Sequence, residues 1–144
     1  MSFNNSAAAN ELVTILAGLS GMGAAQVGAP ESVGPRVMSY VTLGSQASSR
    51  KTAGVMQRET RFFCMFAYRV DGAEASAETT LMDLVDAFLA ALHADLTLNG
   101  TVRSLEANSL AADEPEYQLR AGKEYREYPV MVTVVQQDSY SVNP

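Results

Sequence analysis

The sequence predicts a single α+β domain in which two helices pack on a mostly antiparallel sheet. Two segments have the apolar spacing of amphipathic helices, and several others have the β-branched and aromatic content of strands. Strand-like segments follow one another near the end of the chain without a helix between them, which favours α+β over α/β architecture. The 144 residues contain no internal repeat and no linker, so we expect one domain, residues 1–144, with one sizeable core.

The first helix is predicted near the start of the chain. Residues 4–6 (Asn-Asn-Ser) are candidate caps. Apolar side chains then recur at i, i+3, i+4 and i+7, and we expect the helix to end between residues 18 and 23. Residues 21–34 contain four glycines and a proline, which predicts an irregular connector. The apolar positions of this helix are Leu12, Ile15, Leu16 and Leu19.

The first predicted strand, residues 36–43, is rich in β-branched and apolar residues and should end at Gly44. Residues 44–54 are small and polar without periodicity, which predicts a mobile loop or a hairpin arm. We place the flexible segment at about residues 44–57. Residues 55–70 follow, and within them residues 61–69 are apolar on both faces, as expected for a strand buried on both sides. This strand should be central.

The second helix has the strongest periodicity in the sequence. Its apolar residues follow the i, i+3, i+4, i+7, i+8, i+11 pattern: Leu81, Leu84, Val85, Phe88, Leu89 and Leu92. We expect it to pack across the sheet. The candidate caps are Ser76, Thr79 and Thr80, the last with Asp83 in a capping box.

Three further strands are predicted after this helix. The Asn99-Gly100 turn precedes a strand at residues 101–110, a short extended stretch is expected at 117–119, and a long β run covers 125–137. Pro129 lies inside the last run and has no N–H. It should therefore lie at the start of the strand, at an edge or at a bulge.

Composition excludes several classes of function. The formal charge is −6 and the pI about 4.7, which argues against a general nucleic-acid binder. Only 18% of residues are charged, so we expect some of the surface to be covered by partners. The single cysteine rules out an intramolecular disulfide, and no apolar run approaches the roughly 20 residues of a membrane span. The sequence predicts a protein made in a reducing compartment, neither membrane-embedded nor conventionally secreted.

The sequence gives little support for a catalytic function. Cys64 lies among aromatic residues and is expected to be a core thiol, and His93 is expected to lie on the surface or to cap the second helix. Asp83 and Asp86 resemble a solvated acidic pair more than a cation site. We therefore predict no catalytic residue, no metal and no cofactor, and hence not an enzyme.

Four basic residues are the candidates for contact with a partner. Arg50 and Lys51 are adjacent within the polar segment, and Arg58 and Arg61 follow it. The segment is either a solvated arm or an arm that docks on an acidic partner surface.

Five segments and the opening helix together resemble the tail terminator proteins of long-tailed bacteriophages. The segments are Pro-Arg-Val-Met-Ser-Tyr-Val-Thr-Leu-Gly at 35–44, Arg-Phe-Phe-Cys-Met-Phe-Ala-Tyr-Arg at 61–69, Leu-Val-Asp-Ala-Phe-Leu-Ala-Ala-Leu at 84–92, Asp-Leu-Thr-Leu-Asn-Gly-Thr-Val at 95–102, and Tyr-Arg-Glu-Tyr-Pro-Val-Met-Val-Thr-Val at 125–134. The resemblance covers most of the chain and rests on the order of these segments, since none is diagnostic alone.

The resemblance implies a structural virion protein, assembled in the host cytoplasm. Such a protein forms a hexameric ring on the head-proximal end of the tail tube, ends polymerisation of the tube protein and offers the surface that joins tail to head. Its partners would be further copies of itself, the tube protein and the neck proteins. Six copies would carry about −36 charges, six times the formal −6, so DNA would pass the lumen without specific binding.

Two alternatives remain open at this point. A head-completion or neck adaptor protein would share the size and the ring habit. A small-ligand or peptide-binding α+β module would need a pocket with convergent polar groups, which the apolar strands do not offer.

Overall fold

The computed structural model describes residues 3–72, 74–111, 114–120 and 122–139. Within these residues the chain forms two helices and six strands. In chain order they are α1 (Asn5–Ala17), β1 (Ala25–Val27), β2 (Met38–Thr52), β3 (Val55–Arg69), α2 (Glu74–His93), β4 (Ser104–Ser109), β5 (Glu116–Arg120) and β6 (Lys123–Ser139).

All six strands belong to one sheet in the order β1-β2-β3-β6-β4, with β5 paired to the first part of β6. The β1–β2 pair is parallel and the other pairs are antiparallel. The predicted α+β class is therefore confirmed. The strand β3 lies between β2 and β6 and is central, as its apolar residues on both faces predicted.

Both helices pack on the same face of the sheet and enclose the main core there. The Phe66 ring of β3 meets the Phe88 ring of α2 edge to face, with centroids 5.7 Å apart. This arrangement suits two aromatic rings because the positive edge of one faces the negative face of the other. Other core side chains that are at most 2% exposed include Leu12, Leu16, Phe62, Leu81, Leu84, Leu92, Val130, Val132 and Val134.

The helix α1 begins and ends as predicted. Asn4 is its N-cap, and the Asn4 side chain accepts a hydrogen bond from the Ala7 N–H at 3.0 Å. Leu12 and Leu16 are fully buried, while Ile15 and Leu19 are partly buried. The predicted apolar stripe therefore faces the sheet.

The helix α2 begins earlier than its predicted caps. Its first residue is Glu74, whose side chain accepts from the Gly72 N–H at 3.0 Å and so closes the preceding turn. The Thr79 hydroxyl donates to the Ala75 carbonyl oxygen at 3.0 Å, a bond made within a helix rather than at its start. The predicted caps are wrong because all three lie inside the helix: Ser76, Thr79 and Thr80.

The connector predicted to be irregular contains the short strand β1. Residues 25–27 pair with residues 39–41 of β2, and the Gly28 N–H donates to the Val41 carbonyl oxygen at 2.8 Å. Sequence patterning missed this strand because three residues, two of them exposed, carry no readable alternation.

The predicted end of the first strand at Gly44 is wrong. The strand β2 continues to Thr52 through a register shift between Leu43 and Gln46. A Cβ atom on Gly44 would lie 2.6 Å from Phe63 Cε2 and 2.9 Å from the Arg61 carbonyl oxygen. Glycine is therefore needed for close approach at an irregularity in the strand, a role that a sequence pattern does not distinguish from a stop.

Pro129 lies within β6, at a local edge as predicted. The Leu110 N–H donates to the Pro129 carbonyl oxygen at 3.0 Å, so this side of Pro129 faces β4. Residues 123–127 pair with β5 and residues 130–135 with β4. Pro129 is directly opposite Leu110 where the pairing with β4 ends, so its missing N–H costs only the one reciprocal bond to the Leu110 carbonyl oxygen.

Neither α1 nor α2 is long and apolar enough to cross a bilayer.

Candidate functional site

The most distinctive surface is a three-stranded arm, which we define as residues 44–59 of the β2–β3 hairpin and residues 135–139 of β6. Residues 44–54 were predicted as a mobile loop or a hairpin arm, and the structure shows the hairpin arm. The strand β3 pairs with β2 on one side and with β6 on the other along the arm. Residues 45–53 are all exposed, so this ladder rather than apolar burial defines the arm's conformation.

Two of the four predicted contact residues lie at the arm tip, which we define as residues 50–56 of the hairpin together with Asp138 of β6, the residue paired with Met56. Arg50 pairs with Met56 across the hairpin, and Lys51 lies at a register shift between Arg50 and Thr52. Gly54 completes the turn with φ +84°, a conformation that favours glycine. Both cationic side chains are exposed, and within the described part of the chain neither makes a salt bridge.

A third predicted contact residue, Arg58, lies at the base of the arm and is engaged within the chain. Its Nη2 donates to Asn5 Oδ1 at 2.8 Å and to Gln136 Oε1 at 3.1 Å, and its guanidinium lies 4.5 Å from the centre of the Phe3 ring. Gln136 is fully buried and its Nε2 donates to the carbonyl oxygens of Asn4 and Thr101. This network ties the arm to the start of α1.

The fourth predicted contact residue, Arg61, is exposed but separated from the tip. It pairs with Thr133 of β6, whereas Arg50 pairs near the hairpin turn. Arg50 and Lys51 therefore lie near the hairpin turn, whereas Arg58 and Arg61 lie further along β3.

The outer edge of β2 is free along much of the arm. The strand β1 covers β2 only at residues 39–41, and no described strand pairs with the outer edge of residues 43–52. An uncovered edge presents backbone donors and acceptors that another chain can pair with.

A groove between α2 and the start of β6 was not predicted from the sequence. We call it the α2 groove; its volume is about 330 Å³ and its lining residues are Glu78, Leu81, Met82, Val85, Asp86, Arg126 and Tyr128. Met82 is 61% exposed, so a large apolar side chain is accessible at the groove. The signal available in the sequence was a methionine on the polar side of the helical pattern.

One wall of the α2 groove is an ion pair supported by a phenol. Arg126 Nε donates to Glu78 Oε1 at 2.6 Å, and the Tyr68 hydroxyl donates to the same oxygen at 2.7 Å. Burial and the hydrogen bond to Glu78 raise the pKa of Tyr68, so the phenol stays protonated. Glu78 is therefore committed to holding α2 against the sheet.

The groove and the arm tip carry opposite charge. The helix α2 contains four carboxylates and no lysine or arginine: Glu74, Glu78, Asp83 and Asp86. Within the hairpin, residues 45–56 contain Arg50 and Lys51 and no acidic residue, and Asp138 of β6 lies opposite Met56, so the two cations and one carboxylate leave the tip with a net positive charge.

The remaining predicted residues take the positions expected of them. Cys64 is fully buried, and burial raises the pKa of its thiol, which is the opposite of an activated nucleophile. His93 is the last residue of α2 and is exposed, and Asp83 and Asp86 are exposed on the same helix. Among the residues that the structure describes, no cluster of three or more potential ligands is placed to hold a metal ion.

No protein-family model matches the sequence, and no curated protein matches it either.

Proposed function

We propose that this protein is a tail terminator: a structural virion protein that forms a hexameric ring on the head-proximal end of a phage tail tube. The arm carries this proposal, because it extends from the body and presents cations that the chain itself leaves unpaired within its described residues. An arm that contacts a different surface on its neighbour makes a heterologous interface, and such interfaces generate rings when the rotation closes.

The sequence resemblance supports the same assignment, and it rests on sequence segments rather than on the structure of the arm. It implies that the ring ends tube polymerisation and provides the surface for the neck proteins. The formal charge of −6 per copy would make the ring acidic, which suits a lumen that DNA passes without specific binding. The protein would then reside in the virion, after assembly in the host cytoplasm.

We propose a structural rather than a catalytic role. Two groups that could serve in acid–base or nucleophilic chemistry have other engagements. Glu78 accepts hydrogen bonds from Arg126 and Tyr68, and Cys64 is a buried thiol with a raised pKa. The α2 groove is lined largely by apolar side chains and by this ion pair, an arrangement that suits a protein contact.

The test is negative-stain electron microscopy of the purified protein, alone and mixed with tail tubes assembled without it. Six-fold rings on one end of the tubes are expected, together with tubes that no longer lengthen. Rings that ignore tubes but bind filled heads would replace the proposal with a neck adaptor. A protein that forms no ring and caps no tube would remove the terminator assignment, and a saturable thermal shift with a small ligand would then favour the binding module.

A charge-reversed arm sharpens this test. The variant carrying Arg50→Glu and Lys51→Glu should lose ring formation, tube capping or head joining. The matched control reverses two exposed basic residues away from the arm, Arg36→Glu with Lys123→Glu, and should retain all three activities. Unchanged assembly of the arm variant would show that Arg50 and Lys51 contact none of these partners.

A further inference from the structure

We infer that the arm tip of one copy docks in the α2 groove of the next copy, an inference that rests on the proposed ring. The occupant of the groove is thus a second copy of this chain, and the contact joins two different surfaces. It assigns a partner to Arg50 and Lys51, which the described structure leaves exposed.

Charge complementarity favours this pairing. Arg50 and Lys51 face solvent at the tip, and Asp86 is an exposed carboxylate in the groove lining, one helical turn from exposed Asp83. Opposite charges on two protein surfaces steer association and fix its register. The acidic face of α2 would also repel the acidic bodies of other copies. The cationic tip is therefore the part of a neighbouring copy that this face attracts.

Apolar complementarity accompanies the charges. Val55 and Met56 lie at the tip beside the cations and are only partly buried, with Met56 directly opposite Arg50. Met82 offers an exposed, flexible apolar side chain at the groove, next to buried Leu81 and Val85. Apolar contact at the centre with charged groups around it is the usual anatomy of a protein interface.

Distance within the chain requires the contact to be intermolecular. Tyr128 lines the groove, whereas Asp138 pairs with Met56 at the tip, and both lie on the continuous strand β6. Ten residues of strand separate them, which is about 33 Å at about 3.3 Å per residue. A tip therefore cannot reach the groove of its own copy, and each copy offers one tip and one groove, the requirement for head-to-tail closure.

The experiment is disulfide trapping between engineered cysteines in the full chain. A variant with both Lys51→Cys and Met82→Cys is mildly oxidised and analysed by non-reducing electrophoresis. The expected result is a ladder of crosslinked species that ends at six copies. Cys64 is buried and its thiol pKa is raised, so it should stay unreacted.

A matched control keeps the arm cysteine and moves the other one. Lys51→Cys with Leu119→Cys places the second thiol on β5, where Leu119 is 75% exposed, and should give no ladder. A charge exchange provides independent support: Lys51→Glu or Asp86→Lys alone should weaken ring formation at least tenfold in protein concentration, and the two together should restore it.

The outcomes separate this inference from the proposed function. Rings that form without any 51–82 crosslink, or a 51–119 ladder as strong as the 51–82 ladder, would overturn the docking while the terminator assignment stands. A 51–82 ladder that runs past six copies without closing would support the docking and contradict the hexameric ring.

Discussion

Arg58 Nη2 lies 2.8 Å from Asn5 Oδ1, which joins the base of the arm to the first turn of α1 across 53 residues of sequence. The same guanidinium contacts Gln136 of β6, so three elements meet at one cation. The arm therefore has a defined attachment to the body although residues 45–53 are exposed.

The first prediction concerns this attachment. Arg58→Met should lower the free energy of unfolding by about 2 kcal/mol, since hydrogen bonds to a charged group contribute roughly 1.5–3 kcal/mol and Gln136 would lose a buried partner. Urea denaturation measures the change, and hydrogen exchange should rise at the base of the arm. Arg103→Met, which removes one exposed hydrogen bond to Gln137, is the control and should cost less than about 0.5 kcal/mol.

The second prediction concerns the wall of the α2 groove. Glu78→Ala should destabilise the protein by roughly 2–4 kcal/mol, because it leaves the 8% exposed Arg126 side chain without its carboxylate and removes the acceptor of Tyr68. Glu78→Gln keeps one acceptor oxygen and should cost less. Thermal unfolding of the variants measures these changes, and Asp83→Ala on the exposed side of α2 should be nearly neutral. Equal losses of stability for Glu78→Ala and Asp83→Ala would contradict the role assigned to Glu78.

The third prediction concerns the irregularity where the arm leaves the body. Gly44→Ala should cost about 1–3 kcal/mol, because the added methyl group would overlap the Phe63 ring and the Arg61 carbonyl, and backbone cannot move aside cheaply. Gly34→Ala is the matched control, since its Cβ would meet nothing within 4 Å. Chemical denaturation of both variants should separate them by more than 1 kcal/mol; similar stabilities would show that the strand relaxes around the added methyl.

The fourth prediction is a loss of stability at alkaline pH. The thiol of Cys64 keeps its proton in the folded state, whereas an unfolded thiol loses it above about pH 8.5. The unfolded state then binds fewer protons than the folded state, so the free energy of unfolding falls as pH rises, by up to about 1.4 kcal/mol per pH unit. Tyr68 adds a second decline above about pH 10 for the same reason.

Denaturation at pH 7.5, 8.5 and 9.5 tests this dependence. The Cys64→Ala variant should be less stable throughout, because it removes buried volume, but its stability should change little over this range. A parallel decline in both proteins would assign the pH dependence to other groups.

Periodicity in the sequence was sufficient to predict the helices and strands whose residues are buried at regular intervals. The α2 stripe from Leu81 to Leu92 and the apolar residues of β3 gave the helix, the central strand and the α+β class. Pattern reasoning was wrong where one residue has several structural uses. Gly44 permits close packing within a strand instead of ending it, and Thr79 bonds back into its own helix instead of capping it.

For the candidate site too, the sequence predicted some features and could not predict others. Composition identified the arm segment and its adjacent cations, because a small, polar stretch with Arg50 and Lys51 differs locally from its surroundings. The sequence could not separate Arg58 from them, since its inward role depends on Asn5 and Gln136, which are distant in the chain. The α2 groove was equally hidden, because Glu78, Tyr68 and Arg126 come from three elements.

The sequence by itself determined the fold class, the core faces of the helices and strands, and the net charge, because these properties follow from local periodicity and composition. Tertiary structure decided which cations are free, where glycine and proline are tolerated, and which carboxylates are already bound. Those properties depend on strand register and on helix placement. They bring residues such as Arg58 and Gln136 together across 78 positions, and no local pattern encodes that distance.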